Sequence, residues 1–306
     1  MLDRQGLHLR AALFASIRRF FSSRGFLEVD TPLRQPVIIP ESNVVPLAAE
    51  GQYLQTSPEL CMKRILAAGC DKIFQICPCF RKGERGRYHL EEFTMLEWYR
   101  LDADYRQLMD DCECLLAEVV DRMAKDVVGT ASGGEADVFL RFDLERPWPR
   151  LSVEDAFRRY SPLSLERSMA GDCFEEMLVE HIEPNLGCDK PLFLYDYPVE
   201  MAALARKKPG QPTRAERFEL YLHGVELANG FSELTDSDEQ RQRFSNELGR
   251  IEKMGLLHGG MPERFLADLE RLPAAAGIAL GVDRLFMLLT GCGEIGKAVS
   301  FAPEDF

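Results

Sequence analysis

What this sequence lacks narrows its possible roles. No apolar run approaches the ~20 residues needed to span a bilayer, so no membrane association is expected. The first residues, Met1-Leu2-Asp3-Arg4-Gln5, offer no stretch of signal-peptide type. Positive charge is in deficit: 37 Lys and Arg against 50 Asp and Glu leave a formal charge of −13. A phosphate backbone would repel that balance, which counts against broad, non-specific binding to nucleic acid. The nine cysteines are odd in number and scattered, so a reducing cytoplasm is expected rather than a disulfide framework. No internal repeat or low-complexity tract occurs.

What is present is ordinary globular composition, 46% hydrophobic and 28% charged over 306 residues. That is enough for a sizeable core, in two domains or one large one. Leu7, Leu9, Leu13, Phe14, Ile17, Phe20 and Phe21 recur at helical spacing, and Gly25 ends the pattern. A strand-like run follows, Phe26 to Val29, closed by Pro32. Further helices are predicted from Tyr105 to Met123 and after Thr235-Asp236, the latter turning Phe244, Leu248 and Ile251 inward. The glycine-bearing stretch Asp126–Glu135 reads as a surface loop. Strands are expected at 72–81, 93–99, 193–199, 218–229 and 277–282. They cluster without regular βαβ alternation, which predicts an α+β fold with a mostly antiparallel sheet.

Three segments carry chemistry. Between Arg81 and Arg87 four basic residues face one acid, in a glycine-bearing loop that reads as a hairpin tip. Period-two geometry puts Phe93, Met95, Glu97 and Tyr99 on one face of the outgoing strand. With Arg81 on that face, it offers a guanidinium for phosphate and an aromatic for a base. A solvated hairpin tip would show the same composition. Glu226 and Glu233, either side of Asn229-Gly230, could converge on Mg²⁺ or on an ammonium group if the chain bends at the glycine. Gly277–Phe286 is an apolar strand running straight into a helix, with Arg284 near the helix start. Two other patterns carry less. Gly291–Lys297 fits the first seven positions of a P-loop, but Ala298 replaces the metal-binding hydroxyl. Cys61, Cys70, Cys77 and Cys79 lack a standard structural-zinc spacing, and His181, His223 and His258 have no supporting neighbours.

In this order, these segments resemble the class II aminoacyl-tRNA synthetases. Phe26–Pro32 looks like their first motif, Phe80-Arg81 through Glu97 like the second, and Gly281–Leu285 like the third. Thr56–Leu60, Glu92–Glu97, Leu204-Ala205-Arg206 and Asn229–Leu234 resemble the lysyl-tRNA synthetase branch. That branch places an anticodon-binding OB domain ahead of the first motif. Here the motif begins near residue 26, so residues 1–306 are expected to form a single catalytic domain with no OB domain. The short form is similar to the paralogues that join (R)-β-lysine to a lysine of translation elongation factor P. Ala279 stands where lysyl-tRNA synthetases have glycine, and Ser57 where they have alanine. A methyl at Ala279 would crowd the α-amino position and favour an amine moved one carbon along.

The resemblance implies residue roles. Arg81, with neighbours Lys82 and Gly83, meets the α-phosphate. His89 and Arg284 hold the outer phosphates, Phe93 stacks on adenine, and Leu90, Leu227 and Gly281 belong to the same ATP site. Glu226 and Glu233 hold Mg²⁺. Ser57, Pro58, Glu59, Glu97, Tyr99, Asn229, Phe231, Glu233 and Ala279 shape the amino-acid pocket, with Glu97 as the partner of the ε-ammonium. ATP is the implied co-substrate, a homodimer through the first motif the implied assembly, and no tRNA the implied partner. In two places the sequence departs from the family: Gly83 occupies a usual glutamate position, with Glu84 next, and Leu90 replaces a common asparagine. The basic stretch Arg206–Arg214 is the expected contact for an acidic protein acceptor. The alternatives are an α-lysine ligase acting on tRNA or another acceptor, and a non-catalytic regulatory paralogue.

Overall fold

Residues 1–130, 142–256 and 259–306 are described by a computed structural model. The Asp3 side chain caps the first helix, α1 (Arg4–Ser23), by accepting from the Gly6 amide at 2.7 Å. Gly25 ends it at φ +76°, a conformation that favours glycine. Next come β1 (Leu27–Glu28) and a small side sheet of β2 (Arg34–Gln35), β3 (Ala48–Ala49) and β4 (Gln52–Leu54), then α2 (Glu59–Ala67). The long hairpin β5 (Lys72–Phe80) and β6 (Glu92–Leu101) leads into α3 (Tyr105–Thr130). After it lie β7 (Arg150–Ser152), α4 (Val153–Tyr160), α5 (Leu165–Ala170), α6 (Phe174–Met177) and β8 (Leu192–Tyr195). A two-stranded hairpin, β9 (Lys207–Lys208) and β10 (Gln211–Ala215), precedes β11 (Arg217–Leu222) and β12 (Val225–Ser232). The chain closes with α7 (Ser237–Lys253), α8 (Glu263–Leu269), β13 (Ala275–Gly281) and α9 (Val282–Thr290).

One eight-stranded sheet runs β1-β5-β6-β13-β12-β11-β8-β7. Its two outermost pairs are parallel and every inner pair is antiparallel. This is the expected α+β arrangement. Strand alternation sorts β6 between two environments. Leu96 and Trp98 enter the core built with α1 and α3, beside Phe21 and Phe74. Tyr99 packs on the other side against a second cluster from α2, α7 and α8, including Leu60, Leu66, Phe244 and Phe265.

Several boundaries differ from the sequence expectation. Leu7 is exposed, and the first strand is only Leu27–Glu28. Residues 126–130 continue α3, while 131–135, the rest of the expected loop, lie outside the described residues. The run 218–229 is two strands: Leu222 pairs with Val225 across His223 and Gly224, both at positive φ (51° and 69°), a tight I′-type turn. The strand expected at 193–199 ends at Tyr195. Gly291 ends α9 in the left-handed region and no long helix follows, so the P-loop-like run builds no phosphate cradle. No helix among the described residues is long and apolar enough to cross a membrane.

Candidate active site

A cavity of about 460 Å³ opens on the sheet face opposite α1 and α3, floored by β6, β13 and β12. Its two ends differ in charge. At one end Arg81 lays its guanidinium 5.2 Å from the centre of the Phe93 ring. Arg284, in the first turn of α9, is held from three sides. It donates to the Tyr88 carbonyl at 3.2 Å and the Glu226 carbonyl at 2.8 Å, and pairs with the Glu226 carboxylate at 3.3 Å. Its third nitrogen lies 2.7 Å from His89 Nε2. Burial, then the Arg284 charge, lowers the pKa of His89, so a neutral imidazole accepts at Nε2. Leu90, Leu227 and Gly281 line the same end. Asp283 fixes the start of α9, accepting from the Thr94 amide and from Arg10 at 2.6 Å each.

The loop between β5 and β6 closes over this end. Gly83 turns at φ +79° and its amide donates to Glu91 Oε1 at 2.7 Å, while the Lys82 amide donates to the Val45 carbonyl at 2.7 Å. Neither Lys82 nor Gly83 lines the cavity. Glu84, beside the missing motif glutamate, stands 3.8 Å from Arg81.

The other end is built of buried carboxylates. Glu97 accepts from Ser57 Oγ and Tyr99 Oη at 2.6 Å each. Burial and then repulsion from Glu59 push its pKa up to about 7. Lys63, 1% exposed, bridges Glu59 and Glu233, touching Glu233 Oε2 at 2.5 Å. Burial would lower the Lys63 pKa, but Glu233 and Glu59 outweigh it and the ammonium persists. Burial raises Glu233 to about 8 despite Lys63, and its Oε1 is buried with no hydrogen-bond donor among the described residues. Gly277 makes this packing possible: a Cβ there would run into the Tyr99 ring and Glu233 Oε1. Phe231, Asn229 and Ala279 form the wall between the ends, with Ala279 paired to both Glu97 and Asn229. Pro58 sits just outside, at the cap of α2.

Two expectations need correction. Glu226 and Glu233 do not converge, because β12 runs through Gly230 unbent, in register with Phe218 and Ile278. Seven residues of extended chain span roughly 20 Å, less the one bulge opposite Leu220–Tyr221, and the two carboxylates have different partners, Lys63 for Glu233 and Arg284 for Glu226. The acidic neighbour of Glu226 is instead Glu219, buried on β11 and gripped by Arg217, Tyr197 and Tyr221 at 2.5–2.6 Å. The basic stretch Arg206–Arg214 is also no free cationic patch. Arg206 pairs with Glu216 (2.5 Å), Lys207 with Glu239 (2.8 Å), Lys208 with Asp196 and Arg214 with Glu154 (2.7 Å). Sequence reasoning missed Lys63 and Glu219; a buried lysine four residues after Glu59 on one helix face was the available signal for the first.

The sequence model of tRNA synthetases class II (D, K and N) matches residues 3–305. The chain belongs to this family. Family members of this kind use ATP and a divalent metal. It is also 41% identical, over 95% of its length and 93% of theirs, to a Proteus mirabilis protein named elongation factor P–(R)-β-lysine ligase. A protein of that name from Pectobacterium atrosepticum is 41% identical over 96% of this chain and 94% of its own. One from Klebsiella pneumoniae is 38% identical over the same shares. Within this synthetase family, a cavity with arginines at one end and buried carboxylates at the other suits a nucleotide beside an amino acid bearing extra ammonium groups.

Proposed function

We propose that this chain is an ATP-dependent ligase that activates (R)-β-lysine and transfers it to the ε-amine of a lysine on translation elongation factor P. The observation that carries the reading is the buried carboxylate end, Glu59, Glu97 and Glu233 around a single lysine, set beside the arginine end. Three carboxylates against one ammonium leave room for two cationic groups, and desolvated ammonium groups need such partners. Along β6, Phe93 and Glu97 are four residues, or about 13 Å, apart. That is the reach between a nucleotide base and the far end of a lysine-like side chain.

In the reaction, a substrate carboxylate oxygen attacks the α-phosphorus of ATP, forming the acyl-adenylate and expelling pyrophosphate. The acceptor ε-amine then attacks the adenylate carbonyl, an amide bond forms, AMP leaves and the amine proton passes to solvent. Arg81 offsets charge on the α-phosphate, and Arg284 with neutral His89 orients the outer phosphates. The terminal ammonium enters between Tyr99 and Glu97, with Glu233 Oε1 behind. Ser57 holds Glu97, and Ala279 fills the space an α-amine would need. Divalent magnesium would supply a Lewis acid on phosphate oxygens. Glu226 fits it, because its partly exposed carboxylate lies in the cavity wall and Mg²⁺ takes one or two carboxylates beside phosphate.

We further infer a homodimer through the first motif and a single catalytic domain that uses no tRNA. Leu27, 56% exposed on the edge strand β1, and Leu33, 40% exposed just before β2, support the dimer. ATP–pyrophosphate exchange without acceptor, comparing (R)-β-lysine, (S)-β-lysine and L-α-lysine, tests the reading. Exchange favouring (R)-β-lysine is expected; preference for L-α-lysine would discard the Ala279 argument, and no exchange would discard the ligase.

A further inference from the structure

The segment between β2 and β3 crosses the cavity mouth without regular structure, yet it is pinned down. Ile38 and Ile39 are buried, the Ser42 amide donates to Glu247 on α7 at 2.9 Å, and Val45 receives the Lys82 amide. Between these anchors Glu41 lines the cavity, whose wall also includes Ser57, Glu59 and Arg81.

Glu41 differs from the other carboxylates around it. Glu59 and Glu233 share Lys63, and Glu97 accepts two hydroxyl donors. Among the described residues no donor or cation pairs with Glu41. The charged groups that act on it are the carboxylates of Glu59 and Glu247 and the guanidiniums of Arg81 and Arg217. Burial, then Glu59, pushes its pKa up to about 7. A half-buried carboxylate without a donor is an unfavourable state, relieved when a cation arrives. Its position decides which cation. Glu41 lies within the influence of Glu59 and Arg81, towards the reacting end of the cavity, whereas Tyr99, Glu97 and Glu233 close the far end.

We propose that Glu41 is a specificity residue that binds the substrate ammonium nearest the carboxyl group, and so reads where on the carbon chain that amine sits. This rests on the proposed ligase function, in which a diamino acid occupies the cavity. Glu59, already committed to Lys63, cannot balance a second ammonium alone. Glu41 adds a carboxylate from a segment held in place by the Ser42–Glu247 and Val45–Lys82 hydrogen bonds.

The test compares wild type, Glu41→Gln and Glu41→Asp in ATP–pyrophosphate exchange with (R)-β-lysine and with 6-aminohexanoate, which has the terminal amine but no second one. Glu41→Gln should lower kcat/KM for (R)-β-lysine roughly tenfold to a hundredfold, through KM, since a charge-assisted hydrogen bond is lost. Its kcat/KM for 6-aminohexanoate should stay within about twofold of wild type, and Glu41→Asp should recover part of the loss. Equal losses on both substrates, with a lowered melting temperature, would assign Glu41 a structural role and overturn the proposal. No change on either substrate would also overturn it, while leaving the ligase function standing. A wild-type protein that activates no diamino acid would remove the ligase function and this inference together.

Discussion

The two ends of the cavity hold similar numbers of charges and treat them in opposite ways. At the arginine end, Arg81 and Arg284 remain partly exposed, and their partners are spread over side chains and carbonyls at 2.7–3.8 Å. At the carboxylate end Glu59, Glu97, Lys63 and Glu233 are almost fully buried and pressed together. Exposed charges act mainly through position, so their loss should fall on catalysis. Buried ones are bound into the fold, so theirs should fall on stability as well.

Lys63→Met puts this to its hardest test. It leaves two buried carboxylates without their common cation and should cost about 3–5 kcal/mol of folding stability, read by urea unfolding. Partial recovery at lower pH, where Glu233 takes up a proton, would tie the loss to charge; a cost under about 1 kcal/mol would erase the contrast between the ends. Arg284→Ala should do the reverse, lowering kcat for pyrophosphate exchange about 10²–10³-fold, the scale of one lost transition-state donor, with unfolding nearly unchanged. Gly277→Ala should act on one end only. Its methyl meets Tyr99 and Glu233, so KM for the amino acid should rise and stability fall by about 1–3 kcal/mol, with KM for ATP kept; a matching rise for ATP would show that the ends are not independent.

A pH series sharpens the comparison further. Glu97 and Glu233 are raised to about 7 and about 8, so in the folded protein they hold protons that an unfolded glutamate releases near 4.3. Their contribution to stability is full below about 4.3 and is lost as pH rises through 7 to 8. Melting temperatures of the free protein should therefore fall over that range. Affinity for a diammonium substrate should rise over the same range, because the ionised carboxylates bind it. A melting curve flat from pH 6 to 9 would contradict the assignment. The smallest effect expected is for Ala279→Gly, which removes one methyl and should shift preference towards L-α-lysine by about tenfold. Side-by-side exchange rates measure it, and an unchanged ratio would sink the steric argument.

Much of this contrast was legible in the sequence, because its elements are local. The face of β6 carrying Phe93, Glu97 and Tyr99 follows from alternation alone, and the strand-to-helix junction at Gly281–Arg284 from adjacent residues. Failures came where partners are distant in sequence or the local signal is ambiguous. Glu233 is matched by Lys63, far upstream on α2, and nothing near Glu233 announces that ion pair. The β11–β12 turn uses His223-Gly224 in place of the usual Asn-Gly, so apolar alternation read through it as one strand. The basic hairpin was read by its own charges, whereas their acidic partners lie on other elements.

The position of β13 has a consequence for how the protein is made. Its place is in the middle of the sheet, between β6 and β12, yet it is among the last segments to be synthesised. At about 5–20 residues per second, the inner edge of β6 stays unpaired for on the order of ten seconds, and that of β12 for a few seconds, while the ribosome proceeds to Ala275. During that interval the nascent chain carries two open strand edges that could pair with another polypeptide. The same strand that completes the floor of the cavity then closes both, so a chain that can bind its substrate is also one that has left its aggregation-prone stage behind.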